Sequence, residues 1–505
     1  MRALLALLAG VVAVQGAGAQ EPPTVAASPP SAIAVTIYRD PYRAKDAAID
    51  LDTPSGFALV TETRTVAVPA GVSVIRFEGV VGGIIPVSAV IAGLPGGTIE
   101  KNRDAKLLSP AALIDGTLGK RVTIRRTVRA TGAVREEDAV IVAGSAGGVV
   151  LRTAAGIEAL RCSGLPETPV YRGLPAGLSA QPVLSVTTRS PRATTATVTL
   201  SYLASEFDWN ASYVATVAKD GRTLDLFAWM TLANGNAETL PDAQVNAVAG
   251  RLNRQYVQTW RESAGALALN CYPLGTTTSD LREERPEAME DIVVTGSRVM
   301  ARMMAPPPPP PPAAPAPPPP PEDLGDLKLY RVPTRVAVAA NQLKQVALLR
   351  QGGVPFERVY RTRVFPSNLP PTPVGIELQM RNEAARGLGI ALPAGTTALY
   401  QDRGGARLLL GLGAVDDTAS GQRFSVGAGV SDQVMVAQTA DRRSRATVTL
   451  TNANPSPVTV EVRIGQAGAT NLKDFSGGVA RVDGVWTWVA RVPGNGSAVL
   501  AYSYN

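Results

Sequence analysis

Histidine is missing from this chain and cysteine occurs only twice, so the chemistry open to it is narrow. Without histidine there is no Ser-His-Asp or Cys-His nucleophile, no His-ligated zinc and no imidazole proton shuttle. Two thiols cannot build a four-thiolate zinc or iron–sulfur site within one chain. What remains for catalysis is a pair of carboxylates acting as acid and base, and no spacing in the sequence brings two particular acids together. The stretch Gly116-x-x-Gly119-Lys120-Arg121 fails the phosphate-loop spacing and lacks Ser or Thr after the lysine. Gly144-Ser145-Ala146-Gly147 does not have the spacing of a nucleophile elbow and reads as a turn. A carboxylate site for Ca²⁺ or Mg²⁺ stays open, but no EF-hand spacing supports one. The sequence therefore supports no catalytic residue, no metal-ligand set and no cofactor.

Binding residues are easier to find. Arg121, Arg125 and Arg129 fall on one face of a strand, with Lys120 and Arg126 beside them. Such a stripe can meet an anionic polymer. It can equally be a solvated strand face balanced by Glu136 and Glu137 on a neighbouring strand. Trp209, Tyr213, Phe227 and Trp229 offer a sugar-stacking platform or the large core residues of a sandwich, and Trp486 and Trp488 carry the same two readings. Glu290 to Arg298 is the sharpest short segment. Within it, Asp291, Ile292, Val293, Val294, Thr295, Gly296, Ser297 and Arg298 are β-prone and flanked by charge, as suits a strand donated to a partner's sheet edge. The segment resembles the one that opens the plug of many TonB-dependent outer-membrane receptors. The other reading is a strand that packs on its own domain.

The elements that must position these residues are mostly strands. Ile33, Val35 and Ile37 alternate with Ala34, Thr36 and Tyr38, and Thr197 to Tyr202 and Thr223 to Trp229 alternate as cleanly. Val66 and Val68 run through Pro69-Ala70-Gly71 into Val72 to Phe77, which reads as a hairpin. Ser109-Pro110 has the form of a helix N-cap followed by proline in the first turn. Strands Arg121 to Arg129, Glu136 to Val142 and Val149 to Arg152 follow as neighbours. Long helical periodicity is absent. The expected fold is mainly β, with tandem antiparallel β-sandwich-like domains, a Pro-rich linker and few short helices.

Met1-Arg2, the apolar run Ala3 to Val14 and the small residues Ala17-Gly18-Ala19 make a secretory signal peptide over residues 1–19, with Gln20 as the new N-terminus. No later stretch reaches the roughly 18 apolar residues that a spanning helix needs. The expected compartment is the periplasm or the outside of the cell. There Cys162 and Cys271 can pair, closing a loop of about 100 residues worth at most about 4–5 kcal/mol in chain-entropy terms; two separate thiols are the alternative. The expected division is a disordered lead over 20–32, an N-terminal β module over 33–160, part of a middle β-sandwich over 175–271, a disordered Pro-rich linker over 272–325 and a C-terminal β domain over 326–505. Within the linker, the tract Pro306 to Pro321 would reach about 50 Å as polyproline II. The formal charge of +7 is mild for 505 residues and compatible with an anionic glycan or membrane surface. Nothing points to nucleic acid.

The order of several short motifs resembles a bacterial family of domains of unknown function, some of whose members are called mucoidy inhibitor proteins. Val35-Thr36-Ile37-Tyr38-Arg39-Asp40 with Val68-Pro69-Ala70-Gly71 is similar to its N-terminal module, as are Leu108-Ser109-Pro110 and Leu118-Gly119-Lys120. Leu200-Ser201-Tyr202 with Trp209 and Tyr213 resembles its middle signature, and Gly387-Leu388-Gly389 with Leu392 to Thr396 its C-terminal half. Many members carry a coiled-coil insertion that this chain lacks, and a segment that often contains His reads Asp416-Asp417-Thr418-Ala419-Ser420-Gly421 here. The resemblance implies an envelope protein with an effect on exopolysaccharide and no established activity. Taken together, the expectation is a non-catalytic envelope scaffold that binds a protein partner or exopolysaccharide. The alternative is a histidine-free, carboxylate-pair hydrolase of envelope polysaccharide.

Overall fold

The computed structural model describes residues 22–104, 107–128, 131–144, 149–159, 167–175, 178–252, 319–442, 444–469 and 471–504. The signal segment, Arg129, Cys162, Cys271 and Asp291 to Arg298 lie outside the described residues. Within them strands predominate, with one α-helix, Pro110–Gly116, and two short 3-10 turns. The mainly β expectation holds. Ser109 caps the helix as expected, its hydroxyl accepting from the Ala112 N–H at 3.0 Å.

The strands form five sheets, and these cut across the stretches expected from sequence. One eight-stranded sheet takes Ala32–Tyr38 and Phe57–Val68, then Thr194–Ser205 and Leu240–Ala249, and also Leu327–Arg331. It thus joins segments assigned to the N-terminal, middle and C-terminal parts. Six of its joints run antiparallel, but Ala32–Tyr38 and Leu240–Ala249 pair in parallel. Three more parallel pairs occur, including Phe207–Val217 with Gly395–Arg403, so parallel joints interrupt sheets that are otherwise antiparallel. A parallel pair requires a long crossover, and that is why each ties together remote parts of the chain.

The expected hairpin at Pro69-Ala70-Gly71 is not one. Phe57–Val68 has both edges occupied by Ala32–Tyr38 and Thr194–Ser205, while Gly71–Glu78 pairs with Val183–Ser190 and Thr24–Ala26 in a different, four-stranded sheet. The turn is a corner between sheets, and Gly71 takes it with a φ of 89°. The lead is also ordered from residue 22. Thr24–Ala26 adds to the four-stranded sheet, Val25 packs on the main core, and the Ala27 N–H donates to the Arg76 carbonyl. Likewise the end of the Pro-rich linker is structured: Glu322–Leu324 pairs with Leu327–Arg331.

Residues between Glu100–Asp104 and Val183–Ser190 are an excursion from a single sheet, because those two strands pair with each other and Leu107 bridges Ser179. The excursion has its own small core, in which Ile114 of the helix meets Val122, Ile124, Ile141 and Leu151 of a five-stranded sheet. The largest core lies between the eight-stranded sheet, the four-stranded sheet and a second five-stranded sheet. The nine-stranded C-terminal sheet supplies a further core that includes Tyr360, Val436, Val462, Trp488 and Tyr502.

Several tyrosines are sealed in the main core with their hydroxyls bonded. Tyr202 donates to Glu62, Tyr213 to the Pro393 carbonyl and Tyr330 to the Ala391 carbonyl. Burial pushes all three phenols up from the ordinary value of 10.0. A raised folded-state pKa contributes stability that is present below the unfolded value and lost as pH rises toward the folded one. We therefore expect cooperative alkaline unfolding above about pH 10. Part of the tyrosinate absorbance should rise only together with loss of the β-sheet circular dichroism. Complete tyrosine titration with the sheet signal intact would contradict this burial.

Candidate functional site

The second five-stranded sheet runs in the order Gln342–Pro355, Thr223–Asn234, Phe207–Val217, Gly395–Arg403, Ala406–Val415. Side chains alternate across each strand. In Phe207–Val217 the residues Trp209, Ala211, Tyr213, Ala215 and Val217 are buried in the main core. Ser212, Val214 and Thr216 therefore point the other way. In Thr223–Asn234 the core face is Leu224, Leu226, Ala228 and Met230, which turns Asp225, Phe227 and Trp229 outward. Register stacks these outward residues in rows: Arg350 beside Phe227 beside Val214 beside Ala398, and Ala347 beside Trp229 beside Ser212 beside Thr396.

The outcome for the four aromatics is divided. Trp209 and Tyr213 are core, as one reading had it, and Phe227 and Trp229 are partly buried on the outward face. The latter pair meets edge to face, with ring centroids 4.7 Å apart and planes at 76°. They wall a groove of about 520 Å³ with Val214, Thr216, Asp225 and Arg350. Arg407 closes one side; its guanidinium lies 5.9 Å from the Tyr400 ring centre and 3.2 Å from Asp402. Asp225 is the one carboxylate among the lining residues, and its Oδ1 accepts the Gly353 N–H at 2.9 Å. An aromatic pair with a carboxylate and guanidinium groups on a flat sheet can stack sugar rings and bond their hydroxyls. The two facing carboxylates that glycoside hydrolysis requires are not among the lining residues of this groove.

Other acids lie elsewhere and are engaged. Glu238, raised by burial, accepts the Gly82 N–H at 2.7 Å, with Glu206 close enough for its charge to act in the same direction. Asp416 and Asp417, in the segment compared above with a His-bearing one, pair with Lys45 at 2.9 Å and with Arg39. Asp208, its carboxyl raised by burial, lies 3.2 Å from Arg43. Among the described residues no cluster of three or more potential metal ligands occurs.

The arginine stripe is matched by acids. Arg125 faces Glu136 directly in register and pairs with it at 2.7 Å; Arg121 lies 3.5 Å from Asp138. Arg126, on the opposite face, pairs with Glu158 at 2.5 Å and with Glu137 at 3.6 Å. Arg121 and Arg125 thus occupy the balanced strand face rather than an unmatched cationic one. Trp488 is buried in the C-terminal core, and Trp486 packs against Phe475 beneath Arg481, whose guanidinium is 4.5 Å from the ring centre.

Residues that the sequence reading passed over hold the strand ends. Asn234 and Asn452 are each buried at the last position of a strand. Each side-chain oxygen accepts the N–H two residues on, and each side-chain nitrogen donates to the carbonyl four residues on. The motifs quoted from the middle and C-terminal halves meet in space. Tyr213 donates to the Pro393 carbonyl at 2.6 Å, and Gly395 sits where a Cβ would lie 2.1 Å from the Ala211 carbonyl oxygen. No protein-family model matches the chain, and no curated protein matches it either. Among the described residues no helix is long and apolar enough to cross a membrane.

Proposed function

We propose that this chain is a non-catalytic, secreted or periplasmic cell-envelope scaffold that holds a surface polysaccharide on the open face of the second five-stranded sheet. The observation that carries the reading is the outward Phe227–Trp229 pair over a groove edged by Asp225, Arg350 and Arg407. Apolar rings on a sheet face gain from covering the flat faces of sugars, and the charged rim bonds the hydroxyls. The secretory pattern of residues 1–19 and the motif order resembling the mucoidy inhibitor family support the same compartment and ligand class.

The test is binding of purified exopolysaccharide, read by affinity electrophoresis and by quenching of tryptophan fluorescence. Trp229→Ala should weaken binding roughly 30-fold, the loss of about 2 kcal/mol expected for a central aromatic anchor. Arg121→Ala, at a paired position on the excursion, should leave it unchanged. Equal affinity in Trp229→Ala and the parent would remove the groove from the account.

A further inference from the structure

A second cleft lies where the second five-stranded sheet meets the C-terminal sheet. It has a volume of about 310 Å³ and shares no lining residue with the aromatic groove. Pro355, Phe356 and Met380 give it an apolar side. Four arginines line it: Arg222 from the turn before Thr223–Asn234, Arg381 at the end of Leu369–Arg381, Arg386 in a 3-10 turn and Arg423 at the start of Arg423–Ala440.

The acids nearby do not match this charge. Glu357 is the one carboxylate among the lining residues. Glu383 serves two arginines at once and loosely, at 3.4 Å from Arg381 and 3.5 Å from Arg386. Asp220 accepts from backbone N–H groups of its own turn, which chiefly lower its pKa, and the Arg222 charge acts in the same direction. Among the described residues, neither Arg222 nor Arg423 makes an ion pair. Moreover, Arg381 and Arg423 are direct cross-strand partners. Like charges directly opposite each other in a ladder are unfavourable, so this register stands only at a cost to stability. The cost is offset when an anion sits between them.

We infer that this cleft binds a compact oxyanion, a carboxylate or phosphate group carried on a body no larger than about one sugar ring. Guanidinium groups suit both anions because their paired N–H donors match two oxygens at once. Arg222 and Arg423, exposed and without an ion-pair partner, take the oxyanion; Phe356 and Met380 bear on its apolar side. An acidic sugar unit of a polymer and a phosphorylated small molecule share this chemistry.

The test uses the full chain and three probes, namely inorganic phosphate, glucuronate and, as the neutral control, glucose. Binding is read by titration calorimetry, with amide chemical shifts near Phe356 as the site reporter. Phosphate, glucuronate or both should bind and shift these amides, while glucose should not. Preference for glucuronate would point to acidic polysaccharide as the source, and preference for phosphate to phosphate esters. Arg222→Ala/Arg423→Ala should weaken the bound anion at least about tenfold. Arg222→Lys/Arg423→Lys should recover part of the loss, because charge returns without the paired donors. Both positions are exposed, so a thermal midpoint no lower than the parent's confirms that the variants fold. Trp229→Ala should leave anion binding intact, which separates this site from the groove. Failure of both anions to bind, or equal binding in the doubly substituted protein, overturns the inference.

Discussion

Glu62→Leu should cost about 3–5 kcal/mol of stability, while a second substitution, Arg64→Met, made together with it, should return part of that loss. Glu62 and Arg64 lie two residues apart on the core face of Phe57–Val68, where alternation otherwise places Ala58, Val60, Val66 and Val68. Both are fully buried. Arg64 Nε donates to Glu62 at 2.8 Å, and Tyr202 Oη donates to the other carboxylate oxygen at 2.8 Å. Arg64 Nη1 then reaches out of its own sheet to the Glu78 carbonyl at 2.7 Å, on the four-stranded sheet. The charge pair is therefore a clamp between two sheets.

Removing Glu62 alone leaves a guanidinium in a dry core with no counter-charge and a phenol with no acceptor. Removing both charges leaves only neutral groups short of partners, chiefly the Glu78 carbonyl and the Tyr202 hydroxyl, at about 1–3 kcal/mol each. The check is a double-mutant cycle in urea with equal m-values. A doubly substituted protein as unstable as Glu62→Leu alone would mean that the individual hydrogen bonds, and not the stranded charge, carry the effect.

That clamp marks where sequence reading stops. Alternation reveals a strand, and it revealed most strands here, including Thr197 to Tyr202 and Thr223 to Trp229. It does not reveal the partner. Val66 to Phe77 has every local sign of a hairpin, and the two strands enter different sheets because each finds its neighbours elsewhere. The parallel pairing of Ala32–Tyr38 with Leu240–Ala249 spans some two hundred residues, and no local pattern encodes it.

The candidate site was half legible for a related reason. Thr223–Asn234 is apolar on both faces, with Leu224, Leu226 and Ala228 on one and Phe227 and Trp229 on the other. Composition cannot say which face meets the core; the parity of burial does. The asparagine clamps did leave a signal. Leu232-Ala233-Asn234-Gly235-Asn236 and Leu450-Thr451-Asn452-Ala453-Asn454 repeat a Leu-x-Asn-x-Asn pattern at two strand ends. The arginine cleft left none, since its four arginines come from three separate stretches of the chain.

Trp209→Ala should destabilise by about 3–5 kcal/mol, and Trp209→Phe by roughly 1–3 kcal/mol. Trp209 is fully buried, and it joins two of the three sheets that enclose the main core. Its Nε1 donates to the Val248 carbonyl of the eight-stranded sheet at 3.0 Å, and its ring lies 5.8 Å from that of Tyr330. Alanine opens a cavity and strands the carbonyl; phenylalanine refills most of the space and strands only the carbonyl. Equal losses in the two variants would assign the effect to the hydrogen bond alone. Trp209 also lies on the strand whose opposite face carries Val214 and Thr216 of the groove. Its loss should reduce exopolysaccharide binding only in proportion to the unfolded fraction, so binding recovers at lower temperature or in a stabilising osmolyte. Trp229→Ala should show no such recovery, because there the missing ring is itself the surface on which the ligand rests.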